Sequence, residues 1–183
     1  MSQRDPVRGT APVRFRPLAQ EDFSLLHRWL NVPHVMAGYG HGRGRTPEEV
    51  ALHYAPLLDG TKKTRGFIIE VGGRSAGFIQ AYRILDHPED AAAIGVFDES
   101  HGVDLFLGEP DLVGRGLGAL VLRRFAEDVV FATTDAVAVV SDPLSTNWRS
   151  VRAFEKAGFR LWKTVTPPNE DCGDLLMRLD RPA

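Results

Sequence analysis

Residues 102–118, Gly-Val-Asp-Leu-Phe-Leu-Gly-Glu-Pro-Asp-Leu-Val-Gly-Arg-Gly-Leu-Gly, constrain this chain more than any other segment. They read as a short apolar strand, a turn at Gly108 and Pro110, and a glycine-rich loop opening an amphipathic helix. Glycine has no Cβ, so a ligand can approach the backbone of Gly114, Gly116 and Gly118 closely. The unbonded N–H groups of a helix start then face an anion, and the helix dipole favours negative charge there. One carboxylate, Asp104, lies inside the preceding strand, where charge is costly unless it has a task. A phosphate cradle with a lone acid upstream points to a phosphate-bearing ligand with proton chemistry beside it.

The surroundings of this segment decide what kind of sheet it enters. Residues 13–16 alternate as a short strand does, and Phe23, Leu26 and Leu30 follow at helical spacing. Residues 38–45 form a glycine-rich loop containing His41, Arg43 and Arg45, and Thr46-Pro47-Glu48-Glu49 opens a second helix. Two strands, 66–71 and 76–85, flank a Gly72-Gly73 turn. A helix over about 116–131 is expected to bury Leu117, Leu120, Val121 and Phe125, and a strand over 136–140 follows. Residues 145–147 cap a helix that Gly158 ends, and strands over 159–165 and 175–179 complete the chain. An antiparallel meander followed by alternating helices and strands predicts an α+β fold, a mixed sheet covered by helices.

That order also tests rival readings of the glycines. Gly114, Gly116 and Ala119, with Asp142 at the end of the next strand, satisfy the loose dinucleotide fingerprint. A dinucleotide fold wants this unit near the start of several βαβ repeats, whereas here about 100 residues precede it and one helix–strand unit follows. The Lys-Ser/Thr pair of a nucleotide-triphosphate loop is absent. A purely structural glycine turn remains the plain alternative.

Composition sets further bounds. The 183 residues fit one domain over 13–181, with residues 1–12 as a disordered leader. Net charge is −2, which gives nucleic-acid binding no support. The one cysteine, Cys172, excludes a disulfide within the chain, fits a reducing cytoplasm, and reads as structural. No apolar run approaches the roughly 18 residues of a membrane span, and the six histidines lack metal-ligand spacing.

Val113-Gly-Arg-Gly-Leu-Gly118, and about 30 residues later Asn147-Trp-Arg-Ser-Val-Arg-Ala-Phe-Glu-Lys-Ala-Gly-Phe159, resemble the GNAT N-acetyltransferase superfamily. Gly102 to Pro110, Ser141-Asp-Pro143 and Asp171-Cys172 look like the aminoglycoside 6'-N-acetyltransferase branch. The resemblance implies a mostly antiparallel central sheet splayed at a cofactor cleft, with helices on both faces. It implies acetyl-CoA as co-substrate, its pantetheine arm pairing with the backbone of Leu105, Phe106 and Leu107 like an added strand. Its pyrophosphate would sit on the amides of Val113, Gly114, Arg115, Gly116, Leu117, Gly118 and Ala119, with Asn147 near the arm. Val113 stands where the superfamily usually has Arg or Gln.

The resemblance makes Asp104 the catalytic carboxylate that meets the acceptor amine. The amine arrives protonated, so Asp104 is expected to bind the ammonium first and take its proton late. The alternative is a strand Asp bonded to a neighbouring loop. The tyrosine that often protonates the departing thiolate is replaced by Phe154, and the general acid stays unassigned, water or Tyr82 being the substitutes. Eight acids and no Lys or Arg lie between Ile84 and Gly114, and Asp142, Glu170, Asp171 and Asp174 would join them at one mouth. Asp98, Glu99, Asp142, Glu170 and Asp171 are thus expected to bind a polycation, with Tyr39 stacking on it and Tyr82 also among the substrate-binding residues; Asp86 to Asp90 reads as a solvated acidic loop. Arg43 and Arg45 stand against a purely acidic mouth. Trp29 reads as core, and His41 could touch substrate. The expected reaction is acetylation of a small polycationic amine, foremost the 6'-amine of an aminoglycoside, by a cytoplasmic monomer or homodimer. A siderophore precursor or metabolite amine, a non-catalytic acyl-CoA-binding module, and a nicotinamide-dependent oxidoreductase are the alternatives.

Overall fold

The computed structural model describes residues 11–39, 42–165 and 174–182. Strand β1 (Val13–Pro17) leads through a single 3-10 turn into helices α1 (Phe23–Leu30), α2 (Pro33–Gly38) and α3 (Pro47–Leu58). Strands β2 (Thr64–Val71) and β3 (Arg74–Arg83), helix α4 (Pro88–Ile94) and strand β4 (Ser100–Leu107) follow. Helix α5 (Leu117–Phe125) runs on as a π-helical segment to Phe131; then come β5 (Ala138–Ser141), α6 (Trp148–Ala157), β6 (Arg160–Val165) and β7 (Asp174–Asp180).

Local chemistry explains most of these boundaries. Gly72 and Gly73, at φ 59° and 82°, make the tight hairpin turn between β2 and β3 that side chains resist. Thr46 Oγ1 accepts from the N–H of Glu49 while Glu49 accepts from the N–H of Thr46, a reciprocal cap at the start of α3. Asn147 Oδ1 accepts from the N–H of Ser150 at 3.2 Å and caps α6, which Gly158 ends at φ 100°.

The seven strands form one sheet in the order β1-β2-β3-β4-β5-β7-β6. Every neighbouring pair is antiparallel except β4 and β5. The α+β expectation holds, with helices on both faces. On one face α5 and α6 cover Ile79, Val103 and Val139, and Phe125 meets Phe15 and Phe67 edge-on at 5.0 and 5.4 Å. On the other, α1, α2 and α3 bury Trp29, Tyr54, Phe78 and Phe106. Between these cores β3 and β4 come close. A Cβ on Gly77 would lie 2.2 Å from the carbonyl oxygen of Phe106, so only glycine fits.

Two sequence expectations are corrected. Asp86 to Asp90 is no loop: Pro88 opens α4, and Asp86 is ion-paired with Lys63 and Arg83. Leu120 is 41% exposed and Leu122 is buried in its place, because the face of α5 that meets the sheet is set by Val121 and Phe125. Helix α2, only six residues long, occupies a stretch to which the sequence pattern assigned no element. The leader of residues 1–12 falls outside the described residues except for its last two. Among the described residues no helix is long and apolar enough to cross a membrane.

Candidate active site

The sheet opens where its one parallel pair ends. Strand β4 stays paired with β3 through Leu107, whereas β5 pairs with it only from Ser100 opposite Ala138 to Gly102 opposite Val140. Past that point one edge of β4 faces no strand. Backbone polar groups alternate in direction along a strand. Gly108 N–H donates back to Ala76 across β3, and the Leu107 carbonyl points the other way, 2.7 Å from His34 Nε2. The same alternation turns the backbone of Leu105 toward the opening and that of Phe106 toward β3. Leu105 therefore offers free groups, Phe106 offers only its ring, and the Leu107 carbonyl already has a partner. A purely sequential reading treated the three alike.

The opening continues into a cleft of about 880 Å3. Val113, Gly114, Gly116, Leu117, Gly118 and Ala119 line it, with Asn147 and the α6 residues Arg149, Arg152 and Lys156. Gly114 and Gly116 have φ 79° and 80°, and open space lies where a Cβ would stand. Gly116 is the cap of α5, so the N–H groups of its first turn face that space. Gly118 has a separate reason: its absent Cβ would sit 3.4 Å from Ala153 Cβ, where α5 and α6 pack together. Arg115 is exposed and absent from the cleft lining, and the positive charge comes from α6 instead. Glycine backbone, a helix start and three cations fit a diphosphate.

A second cavity of about 800 Å3 adjoins the first, and Tyr39, Leu105 and Asn147 line both. Asp104 opens into this second cavity beside the junction. Gln80, directly opposite on β3, donates its amide N–H to Asp104 Oδ2 at 2.8 Å. Burial pushes the Asp104 carboxyl up to about 6; Gln80 pulls it down and the charge of Asp142 pushes it further up. Asp142 lines the same cavity, its own carboxyl raised by burial. The phenols of Tyr39 and Tyr54 are held protonated, first by burial and also by the charge of Asp104. Phe154 lines this cavity too, 2% exposed and edge-on to Phe159 at 5.0 Å.

The other predicted acids scatter. Asp98 pairs with Arg178 at 2.9 Å and Glu99 with Arg83 at 2.6 Å, and neither lines either of these two cavities. Within the acidic run between Ile84 and Gly114, Asp86, Asp98, Glu99, Glu109 and Asp111 are paired with cations from elsewhere in the chain, which the run's own composition does not reveal. Tyr82 likewise lines neither cavity, its ring covering Gly102, whose Cβ would lie 2.4 Å from the ring. Its phenol is held protonated by burial first, then by the charges of Asp104 and Asp142. Glu170, Asp171, Cys172 and His41 lie outside the described residues. Arg43 pairs with Glu49 at 2.8 Å, while Arg45 and Lys62 line the Asp104 cavity. The one-signed mouth expected from the sequence is, among the described residues, a cavity of mixed charge.

Sequence reading missed Gln80, Tyr54 and His34. Gln80 carried a signal, being a polar residue inside an apolar strand, but its partner depends on the β3–β4 register. Trp29 is core, as read, and its Nε1 donates to Glu109 at 2.8 Å.

Comparison with known proteins agrees with this geometry. Residues 19–166 match the family described as an acetyltransferase (GNAT) domain. An aminoglycoside N(6')-acetyltransferase type 1 from Klebsiella pneumoniae is 29% identical over 162 residues, covering 86% of this chain and 78% of the relative. The crystal structure of aminoglycoside acetyltransferase AAC(6')-Ib with coenzyme A superposes with a TM-score of 0.77 at 26% identity, over 93% of this chain and 95% of the other. The structure of AAC(6')-Ib with ribostamycin and coenzyme A gives 0.77 at 27% identity, over 92% and 93%.

Proposed function

This chain belongs to the GNAT acetyltransferase family, and we propose that it moves the acetyl group of acetyl-CoA to a primary amine, foremost the 6'-amine of an aminoglycoside. The observation that carries this reading is Asp104, a carboxylate with a raised pKa at the junction of an anion-lined-for cleft and a second cavity. The relatives bearing the aminoglycoside acetyltransferase name and the neighbour with ribostamycin and coenzyme A support the choice of acceptor.

Acetyl-CoA supplies an activated acyl group. The first turn of α5 and the cations of α6 are suited to its diphosphate, and the free backbone edge at Leu105 to its amide-bearing arm. Asp104 binds the incoming ammonium and takes one proton from it, which frees the lone pair; the neutral amine then attacks the thioester carbonyl, the C–N bond forms, the C–S bond breaks, and the second N–H proton passes to the departing thiolate through water. A carboxyl near 6 is a better base for an amine than one near 4, because the gap to an ammonium at 8–10 narrows. Phe154 has no proton to give, so the thiolate is protonated through water; thiols titrate near 8.5, which makes that exit feasible.

The test is release of free thiol on mixing the protein with acetyl-CoA and kanamycin. Release that depends on kanamycin and is accompanied by a monoacetylated product supports the reading. Binding of acetyl-CoA without thiol release from any amine would reduce the protein to an acyl-CoA-binding module.

A further inference from the structure

The Asp104 cavity has a second, oppositely charged wall that the proposed reaction does not use. Arg45, in the loop before α3, Lys62, past its end, and His53, within it, line the same cavity as Asp104 and Asp142. Their neighbours are neutralised. Arg43 pairs with Glu49, and Lys63 pairs with Asp86. Glu49, an acid on the Arg45 wall, is already engaged by Arg43 and by the Thr46 N–H. Arg45 and Lys62 make no salt bridge among the described residues, although Glu49 feels the charge of Arg45 more weakly than that of Arg43.

Arg45 is also placed with care. Asn31 holds its backbone from both sides, accepting from its N–H at 3.2 Å and donating to its carbonyl at 2.9 Å. The same amide fills the space where a Cβ on Gly44 would stand. Different elements supply the two walls of the cavity: α3 and its flanks bring Arg45, His53 and Lys62, while β4 and the end of β5 bring Asp104 and Asp142. Tyr54 lines the same cavity, and its phenol feels Arg45 and Asp104 with opposite sign. His53 is held below its usual range by burial first, then by Lys62 and Arg45, as expected beside two cations.

We propose that Arg45 and Lys62 form an anion subsite across the cavity from Asp104, so that this protein acetylates amines carrying a carboxylate or phosphate remote from the amino group. An ammonium at Asp104 and an anion at Arg45 and Lys62 satisfy both walls at once. A polycation satisfies only the first and is repelled by the second. The inference rests on the acetyl-transfer reading but not on the aminoglycoside as acceptor.

Paired acceptors isolate the anion. Thiol release with acetyl-CoA is measured for 6-aminohexanoate against 6-aminohexanamide, for glucosamine 6-phosphate against glucosamine, and for kanamycin. At least one acidic member should exceed its uncharged counterpart about tenfold in kcat/KM, the two pairs telling carboxylate from phosphate. In the double variant Arg45→Ala/Lys62→Ala that preference should vanish while kcat/KM for kanamycin rises, a split in sign that general damage to the fold would not produce. No preference in either pair, or a preference that survives the double variant, overturns the subsite. Kanamycin turnover with no acid preference leaves the acetyl-transfer reading standing and removes this inference alone. Turnover of an acidic amine without kanamycin keeps the subsite and removes the aminoglycoside. No thiol release from any amine removes both.

Discussion

Asp104 is where stability and function oppose each other. Its carboxyl titrates near 6 in the folded chain and near the ordinary 3.8 when unfolded. The folded state therefore holds the proton more tightly, and stability is lost as pH rises from about 4 through 6. Asp104→Asn keeps the shape and removes that loss. At pH 8 the variant should gain roughly 1–2 kcal/mol, less than the full shift because water reaches the half-buried group. A rise of a few degrees in Tm would show it, and an unchanged or lower Tm would contradict it. The same variant should lose at least tenfold in kcat with acetyl-CoA binding retained. In the unmodified protein kcat/KM should climb with pH through an apparent pKa of about 6, since only the ionised carboxylate can accept the proton. A profile flat between pH 5 and 7 would assign the proton transfer elsewhere. That Asp104 matters was legible from a lone acid in an apolar strand. Its pKa was not, because Gln80 and Asp142 come from two other strand regions that only the folded sheet brings near.

At the level of elements, the segment from β4 to α5 works because its ends are anchored. Glu109, 7% exposed, accepts from Arg28 at 2.6 Å and from Trp29 Nε1 at 2.8 Å, and its other oxygen meets Arg74 at 2.5 Å. These bonds tie the start of the glycine loop to α1 and to β3. Removing the carboxylate in Glu109→Ala leaves a buried indole N–H and two guanidinium groups without it, a cost of about 2–4 kcal/mol that urea unfolding would measure. The loop itself should respond differently. Gly116→Ala meets no atom in the protein but forces a side chain to φ 80°, costing roughly 1 kcal/mol. Its methyl would stand in the space offered to the diphosphate, so KM for acetyl-CoA should rise about tenfold or more with little change in KM for the amine. Equal effects on both would indicate that the loop does not hold the co-substrate. The hairpin at Gly72-Gly73, the caps at Thr46 and Asn147 and the stop at Gly158 were all readable, since each is decided within a few residues. Helix α2 and the exposure of Leu120 were not, since packing against α1 and α6 outweighs local pattern there.

Across the whole molecule, the cleft exists because one parallel pair sits inside an otherwise antiparallel sheet. Helix α5 crosses from β4 to a short β5, and the pairing stops at Gly102 while β4 runs on. A ligand that fills this gap binds only the folded state. Acetyl-CoA at about 100 times its Kd should therefore stabilise the protein by roughly 2.7 kcal/mol in a thermal shift, and NAD should not. A shift with NAD alone would revive the dinucleotide reading of the glycines.

What the sequence determined by itself was local. It set the strand, the glycine loop and the helix that follows, the lone acid upstream, and the order of elements from which a mixed α+β sheet follows, because each depends on backbone freedom or periodicity over a short stretch. What only the tertiary structure decided was the pairing of charges. Asp98, Glu99, Glu109 and Asp111 look like one acidic run along the chain, yet each meets an arginine brought from a distant strand or helix. Arg45 and Lys62 are left facing Asp104 across a cavity. Coulomb interactions follow distance in space, and the chain does not order residues by that distance.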